Sequence, residues 1–219
     1  MPTSVKEDYL KALYYLDSQD GQISVTELSR KLGVSKPTVT NMVKSLEEQG
    51  WVKTQKYKPV RLTAKGKKAA ALVIRKHRLT EMFLYKIMGL GWEEVHEIAE
   101  QIEHIDSEKF FARMDDMLNH PTIDPHGSPI PDKNGKVVQL KLKALVELSP
   151  GQKGRLSALL KDDVELVSYL NELGIELGTV IELVKVESFD GSCRISCDGK
   201  MAIVVSERVG ACLLVEVVG

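Results

Sequence analysis

The chain has 219 residues, 43% hydrophobic and 28% charged, with a formal net charge of −1; this is enough for one large domain or two to three small ones. Mean hydropathy is −0.14, and no apolar run approaches the roughly 18 residues of a membrane span. The N-terminus Met1-Pro2-Thr3-Ser4-Val5-Lys6-Glu7-Asp8 lacks a signal-peptide core, so a cytoplasmic protein without membrane contact is expected. Three cysteines, Cys193, Cys197 and Cys212, are too few for a disulfide framework and lack the paired hooks of a structural zinc site.

The near-zero total hides a split. Residues 1–73 hold 13 Lys and Arg against 7 Asp and Glu, a surplus of +6, whereas 74–141 come to −3 and 142–219 to −4. Basic charge gathered in the first third points to nucleic acid there and to another task downstream.

In chain order, Val5, Tyr9, Leu10, Leu13 and Leu16 follow helical spacing. Ser24-Val25-Thr26-Glu27 has the form of a capping box and predicts a short helix through Leu28 and Leu32, ended by Gly33. Ser35 is an N-cap and Pro37 fits a first turn, opening a helix with Val39, Met42, Val43 and Leu46 on its apolar stripe and Gly50 after it. Two short helices joined by a Gly-containing turn predict a helix-turn-helix. Trp51–Thr54 and Val60–Thr63, around Tyr57-Lys58-Pro59, predict a small hairpin or wing. From Ala64 to Leu118 the pattern is helical with a break at Gly89-Leu90-Gly91, and 120–136 is a long irregular loop. From about Leu142 the sequence turns β-rich, with strands expected at Val180–Val186, Cys193–Cys197, Met201–Val205 and Ala211–Val217. Boundaries near 73 and 141 give three domains, 1–73, 74–141 and 142–219.

Two constellations carry chemistry. Lys53, Lys56, Lys58, Arg61, Lys65, Lys67 and Lys68 form a run of seven cations with no acid among them, which suits phosphate neutralisation. The helix before them offers Ser35, Lys36, Pro37, Thr38, Thr40, Asn41 and Lys44 to base edges and backbone. A solvated basic face is the competing reading. The second constellation is His96-x-x-x-Glu100-x-x-Glu103-His104, whose four polar side chains fall within an arc of about 100° on a continuous helix. Val95, Ile98, Ala99, Ile102 and Ile105 take the other side, and His77-x-x-x-Glu81 adds a second imidazole–carboxylate pair. Imidazole and carboxylate without thiolate suit Mn(II) or Fe(II); surface ion pairs are the alternative. Cys193 and Cys197 read as small buried hydrophobes, and Trp51 and Trp92 as core or staple residues.

Arg75-Lys76-His77-Arg78-Leu79-x-Glu81, Glu94-Val95-His96-Glu97-x-Ala99-Glu100-x-x-Glu103-His104 and Pro125-His126-Gly127-Ser128-Pro129-Ile130-Pro131 together resemble the diphtheria-toxin-repressor family of metal-dependent transcriptional repressors. Tyr169-Leu170-Asn171-Glu172-Leu173-Gly174-Ile175-x-x-Gly178 is similar to the opening of the FeoA fold that forms a third domain in many members. The resemblance implies a mainly α chain with a β C-terminal domain: a winged helix-turn-helix, a helical metal-binding and dimerisation domain, and an SH3-like, FeoA-type small β-barrel. It implies a homodimer on double-stranded operator DNA, controlling metal-uptake genes, with Lys58 on the wing. Carried over by position, it implies a primary metal site of Asp8, Glu100, Glu103 and His104. An ancillary site draws on His77, Glu81 and His96 in some members, and on residues matching Glu81, Asp124, His126 and Asp162 in others. Asp8 and Glu100 stand where iron-responsive members carry Met and Cys, which resembles the manganese-responsive branch, so Mn(II) is the expected cofactor and Fe(II) the second candidate. Lys11 stands where one two-domain manganese regulator has a ligating Glu. Two other readings are a dimetal His/Glu hydrolase or oxidase, which leaves the winged helix without a role, and a winged-helix regulator answering an organic ligand, which leaves the polar face at 96–104 unexplained.

Overall fold

The computed structural model describes residues 4–19, 23–55, 58–161, 163–200 and 202–218. Helix α1 (Ser4–Gln19) buries Tyr9, Leu10 and Leu13. Helix α2 (Val25–Leu32) opens with the expected capping box: Glu27 N–H donates to Ser24 Oγ at 3.1 Å and Ser24 N–H to Glu27 Oε2 at 2.9 Å. Gly33, at φ +65°, turns the chain through the left-handed region that glycine enters without a Cβ penalty. Helix α3 (Lys36–Glu48) starts on the Ser35 cap with Pro37 in its first turn and buries Val39, Val43 and Leu46. Strands β1 (Val52–Lys53) and β2 (Arg61–Leu62) pair antiparallel, Val52 opposite Leu62 and Lys53 opposite Arg61. The tip expected at Tyr57, and Lys56 beside it, lie outside the described residues. Leu10, Leu13, Leu28, Val39, Leu46, Trp51 and Val60 share one core, so Trp51 is the core residue its sequence setting suggests.

The long helical stretch is interrupted twice rather than once. Helix α4 (Ala64–Lys86) ends before the expected glycine break, α5 (Val95–Ile102) follows it, and α6 (Glu108–Met117) begins only after a second, unexpected turn. Ser107 caps α6 by accepting from Phe110 N–H at 3.2 Å, which fixes where the new helix starts. Glu103 and His104 therefore sit in the turn after α5 instead of on its face. Burial also runs against the expected pattern: Glu103 is 0% exposed, whereas Ile98 and Ile105 are 36% and 41% exposed.

Beyond the irregular loop, β3 (Lys143–Ala144) and a 3-10 turn at Leu145–Glu147 lead to β4 (Lys153–Leu159) and α7 (Val164–Glu172). The remaining elements are β5 (Val180–Val186), β6 (Cys193–Cys197), β7 (Ile203–Val205), α8 (Glu207–Cys212) and β8 (Leu213–Val218). The strands form one antiparallel sheet in the order β3-β8-β4-β5-β6-β7. Ala211 and Cys212, expected in the last strand, belong to α8 instead; Ser206 accepts from Val209 N–H at 3.2 Å and starts a helix there. Cys193 is fully buried in the core of this sheet with Leu156, Leu170, Ile181 and Leu213.

The chain packs as two compact units that do not follow chain order. One comprises Met1–Thr80, Ala99–Thr122 and Ile130–Val138; the other comprises Glu81–Ile98, Ile123–Pro129 and Gln139–Gly219. Helices α4 and α5 each contribute residues to both. In the second unit, the register of β4 against β8 shifts between Leu156 and Ala158. A bulge of this kind re-aims backbone groups, and Leu159 N–H donates to His126 O at 2.9 Å beside it. Gly127 has φ +83°, and a Cβ there would lie 2.0 Å from Ser157 O. Gly127→Ala should therefore cost roughly 1–3 kcal/mol from backbone strain alone, plus the displacement of the loop by the clash. Chemical denaturation of the variant should show a loss larger than that of an exposed Gly→Ala such as Gly199→Ala, which has positive φ but nothing within 4 Å.

Candidate metal centre and nucleic-acid interface

The first cluster joins α1 to the turn after α5. Asp8, Glu103 and His104 each present a ligand atom, and these atoms lie within 4.8 Å of one another. His104 Nε2 is 3.1 Å from Asp8 Oδ1, and its Nδ1 is 2.8 Å from Glu7 Oε2. Glu103 accepts from Lys11 Nζ through Oε1 at 2.7 Å and meets His77 Nδ1 through Oε2 at 2.5 Å. Burial pushes the Glu103 carboxyl up, but His77 and Lys11 outweigh it, so the net direction is down and the group stays ionised. Burial pulls the Lys11 ammonium down, yet Glu103 and Glu100 overcome it and the net direction is up. Asp8 is raised, chiefly by burial, against the pull of His104 and Lys11.

The remaining expected ligands stand close to these. Glu100 directs Oε1 to Lys11 Nζ at 2.6 Å. His77 Nδ1 meets Glu103 and lies 3.9 Å from Glu100 Oε1. His96 lies with Glu81, its Nδ1 3.2 Å from Glu81 Oε1. The end of α5 at Ile102 takes 103 and 104 off the single stripe read in the sequence and sends them toward α1.

The second cluster is Glu81, Asp124 and His126, all buried, again with ligand atoms within 4.8 Å of one another. Asp124 Oδ1 accepts from the backbone N–H of His126 at 2.8 Å and of Ser128 at 2.9 Å, which folds the loop around the carboxylate. His126 Nε2 is 2.8 Å from Trp92 O, and its ring stacks on the Trp92 indole with centroids 6.0 Å apart. Its Nδ1 is buried without a hydrogen-bond partner, and Glu81 Oε2 is 3.8 Å away. Such a nitrogen, facing two carboxylates, fits a divalent cation. Burial pulls the His126 imidazolium down, but Glu81, Asp124 and the Trp92 carbonyl outweigh it and push its pKa up to about 9. Asp162 lies outside the described residues. Trp92 is thus a wall of this cluster, not a plain core residue, and its Nε1 donates to Asn171 Oδ1 at 2.7 Å.

Glu7 and Lys76 are residues that sequence reasoning missed, while Lys11 and Trp92 stand out in the sequence without these contacts being foreseen. Glu7 and Lys11 stand four apart on α1, the spacing of an ordinary surface ion pair, so the sequence carries no signal that both are buried.

On α3, Ser35, Lys36, Pro37, Thr38, Thr40, Asn41 and Lys44 are all exposed, as is Lys58 beyond β1. Three hydroxyls already have local work: Ser35 Oγ and Thr38 Oγ1 are 2.8 Å apart, and Thr40 Oγ1 donates to Lys36 O at 2.9 Å. Glu47 takes Thr54 N–H and Oγ1–H, each at 2.7 Å, and so pins the start of the wing to α3.

Three family models cover most of the chain: an iron-dependent repressor N-terminal DNA-binding domain at 1–60, its metal-binding and dimerisation domain at 63–132, and a FeoA domain at 143–217. The iron-dependent repressor IdeR of Mycobacterium leprae is 33% identical over 181 residues, covering 77% of this chain and 79% of that protein. The chain belongs to the diphtheria-toxin-repressor family. Among solved structures, a manganese-dependent transcriptional repressor in complex with manganese has TM-score 0.90 at 31% identity, covering 97% of this chain and 100% of the other. ScaR with bound Cd2+ has TM-score 0.83 at 34% identity over 96% and 98%. The protein is a metal-dependent, DNA-binding transcriptional repressor with a dimerisation domain, not an enzyme. The hydrolase reading falls with that finding. No helix among the described residues is long and apolar enough to cross a membrane.

Removing Lys11 would strip the buried Glu103 of a cation. Lys11→Met should destabilise the chelator-treated protein by roughly 3–5 kcal/mol, and added Mn(II) should recover part of that loss, as denaturant titrations with and without the ion will show. The second expectation concerns pH. A folded-state pKa of about 9 against an ordinary 6.5 means the His126 ion pair contributes fully below pH 6.5 and fades as pH rises through about 9. In chelator, thermal stability should fall across that window, and His126→Gln should flatten the slope.

Proposed function

We propose that the chain is a Mn(II)-activated repressor that binds double-stranded operator DNA as a homodimer, with Fe(II) the competing physiological ion. The observation that carries this reading is the donor chemistry: both clusters offer only carboxylate oxygen and imidazole nitrogen, without the sulfur ligands in whose absence manganese competes best. Similarity to a repressor whose structure holds manganese supports it, while similarity to the mycobacterial iron-dependent repressor keeps iron in view. The primary ligands are Asp8, Glu103 and His104, with Glu100 joining from Lys11; Glu81, Asp124 and His126, together with His77 and His96, form the ancillary set, to which Asp162 belongs by resemblance. The domain boundaries stay near 73 and 141.

A bound divalent ion would supply two positive charges shared between carboxylates of α1 and of the turn after α5. Asp8 is the ligand contributed by the helix-turn-helix segment, so its engagement ties α1 to residues 103 and 104. That restraint favours one placement of α3, whose residues Lys36, Thr38, Asn41 and Lys44 face solvent. Two such helices in a dimer enter major grooves about one turn, roughly 34 Å, apart, while Lys58 and its neighbours neutralise phosphates.

The test is a titration of the gene's own promoter fragment by fluorescence anisotropy, with Mn(II), Fe(II), Zn(II) and chelator. Asp8→Ala should keep the dimer and some metal, yet lose Mn(II)-stimulated DNA binding by about tenfold or more. Full stimulation of that variant would end the assignment of Asp8 as the tie between segments.

A further inference from the structure

Glu7 is absent from the candidate ligands, yet it is 7% exposed and points at one of them. Its Oε2 lies 2.8 Å from His104 Nδ1, and its Oε1 lies 3.2 Å from Lys76 Nζ. Lys76 Nζ also donates to Glu103 O at 3.1 Å, so both carboxylate oxygens of Glu7 and the backbone beside His104 are held. On the far side of the same ring, Nε2 faces Asp8 Oδ1 at 3.1 Å. Two neighbouring residues of α1 therefore grip opposite nitrogens of one imidazole.

An ionised carboxylate can only accept a hydrogen bond, so the hydrogen in the Glu7 contact belongs to Nδ1. Asp8 Oδ1 at 3.1 Å accepts from Nε2 by the same rule, so a cation taken up there replaces the Nε2 hydrogen while Glu7 keeps the Nδ1–H. We infer that Glu7 is a positioning residue for metal uptake: it fixes the Nδ1–H tautomer and the ring orientation of His104, with Lys76 holding Glu7 in place. The inference rests on the proposed site at Asp8, Glu103 and His104. A carboxylate behind a ligating histidine typically matters roughly 10–100-fold in metal affinity. A merely structural salt bridge between Glu7 and Lys76 would not choose between the two ring nitrogens.

The experiment uses the full chain, labelled with 15N-histidine, and the variants Glu7→Ala, Glu7→Gln, Lys76→Met and His104→Ala. Mn(II) affinity is measured by competition with a chelating dye, and the His104 tautomer by long-range 1H–15N correlation in the metal-free protein above neutral pH. Glu7→Ala should weaken Mn(II) binding by roughly 10–100-fold and move His104 toward the Nε2–H form. Glu7→Gln, whose amide oxygen still accepts, should keep the Nδ1–H signature and lose less affinity. Lys76→Met should retain the signature and most of the affinity. The inference is overturned if Glu7→Ala leaves tautomer and affinity as in the native chain while His104→Ala loses Mn(II). Unchanged Mn(II) binding in His104→Ala would instead overturn the site assignment beneath it.

Discussion

Much of the metal chemistry of this protein depends on the burial of one carboxylate. Glu103 is fully inaccessible and ionised, and an isolated ion so placed would cost many kcal/mol. Lys11 and His77 hold its two oxygens. Around it stand Glu7, Asp8 and Glu100, and Lys76 is the second ammonium in the group. Four carboxylates stand against two ammoniums, with His77 and His104 among them. The lysines let α1 and the turn after α5 assemble without an ion.

The other cluster solves the same problem with a different cation. Burial pulls the His126 imidazolium down, but Glu81 and Asp124 push its pKa up to about 9, which places positive charge beside the two carboxylates. The Trp92 carbonyl takes Nε2 and leaves Nδ1 toward the acids. Under the proposed assignment, an ion at the first cluster meets carboxylates already held by ammoniums, whereas one at the second displaces a proton from the ligand itself. The two sites should respond differently to pH for that reason alone, even with similar donor atoms.

The local signals in the sequence translated well into structure. Ser24 and Glu27 form their capping box, Gly33 takes positive φ, and Ser35 caps the helix that carries the exposed polar residues. Each of those features is decided within four or five residues, which is why it can be read in one dimension. The candidate ligands were named by residue type and resemblance, but their grouping was less legible. The stripe at 96–104 assumed a helix that ends at Ile102, and the competing start signal, Ser107 capping α6, lies beyond the motif. Lys11 meets Glu100 and Glu103 across 89 and 92 residues; nothing local marks a lysine for such a partner. The exposed Ile98 and Ile105 belong to the same lesson, since periodicity shows that a helix has two faces without saying which one is covered.

In the proposed assignment, the position of Asp8 on α1 links metal occupancy to DNA. The helix that carries Asp8, Glu7 and Lys11 also buries Leu10 and Leu13 in the core shared with Val39, Val43 and Leu46 of α3. Packed interiors do not deform smoothly, so α1 cannot move toward the turn after α5 while α3 stays behind. Both requirements sit within one stretch of helix: polar residues at 7, 8 and 11 against the carboxylate cluster, apolar ones at 10 and 13 against the recognition helix. Under the proposed assignment, an ion held by Asp8 and His104 biases the placement of α3 through that shared helix. By linkage, DNA that prefers the same placement tightens the ion by the same factor. Affinity for metal measured without DNA then understates the affinity at which the repressor acts.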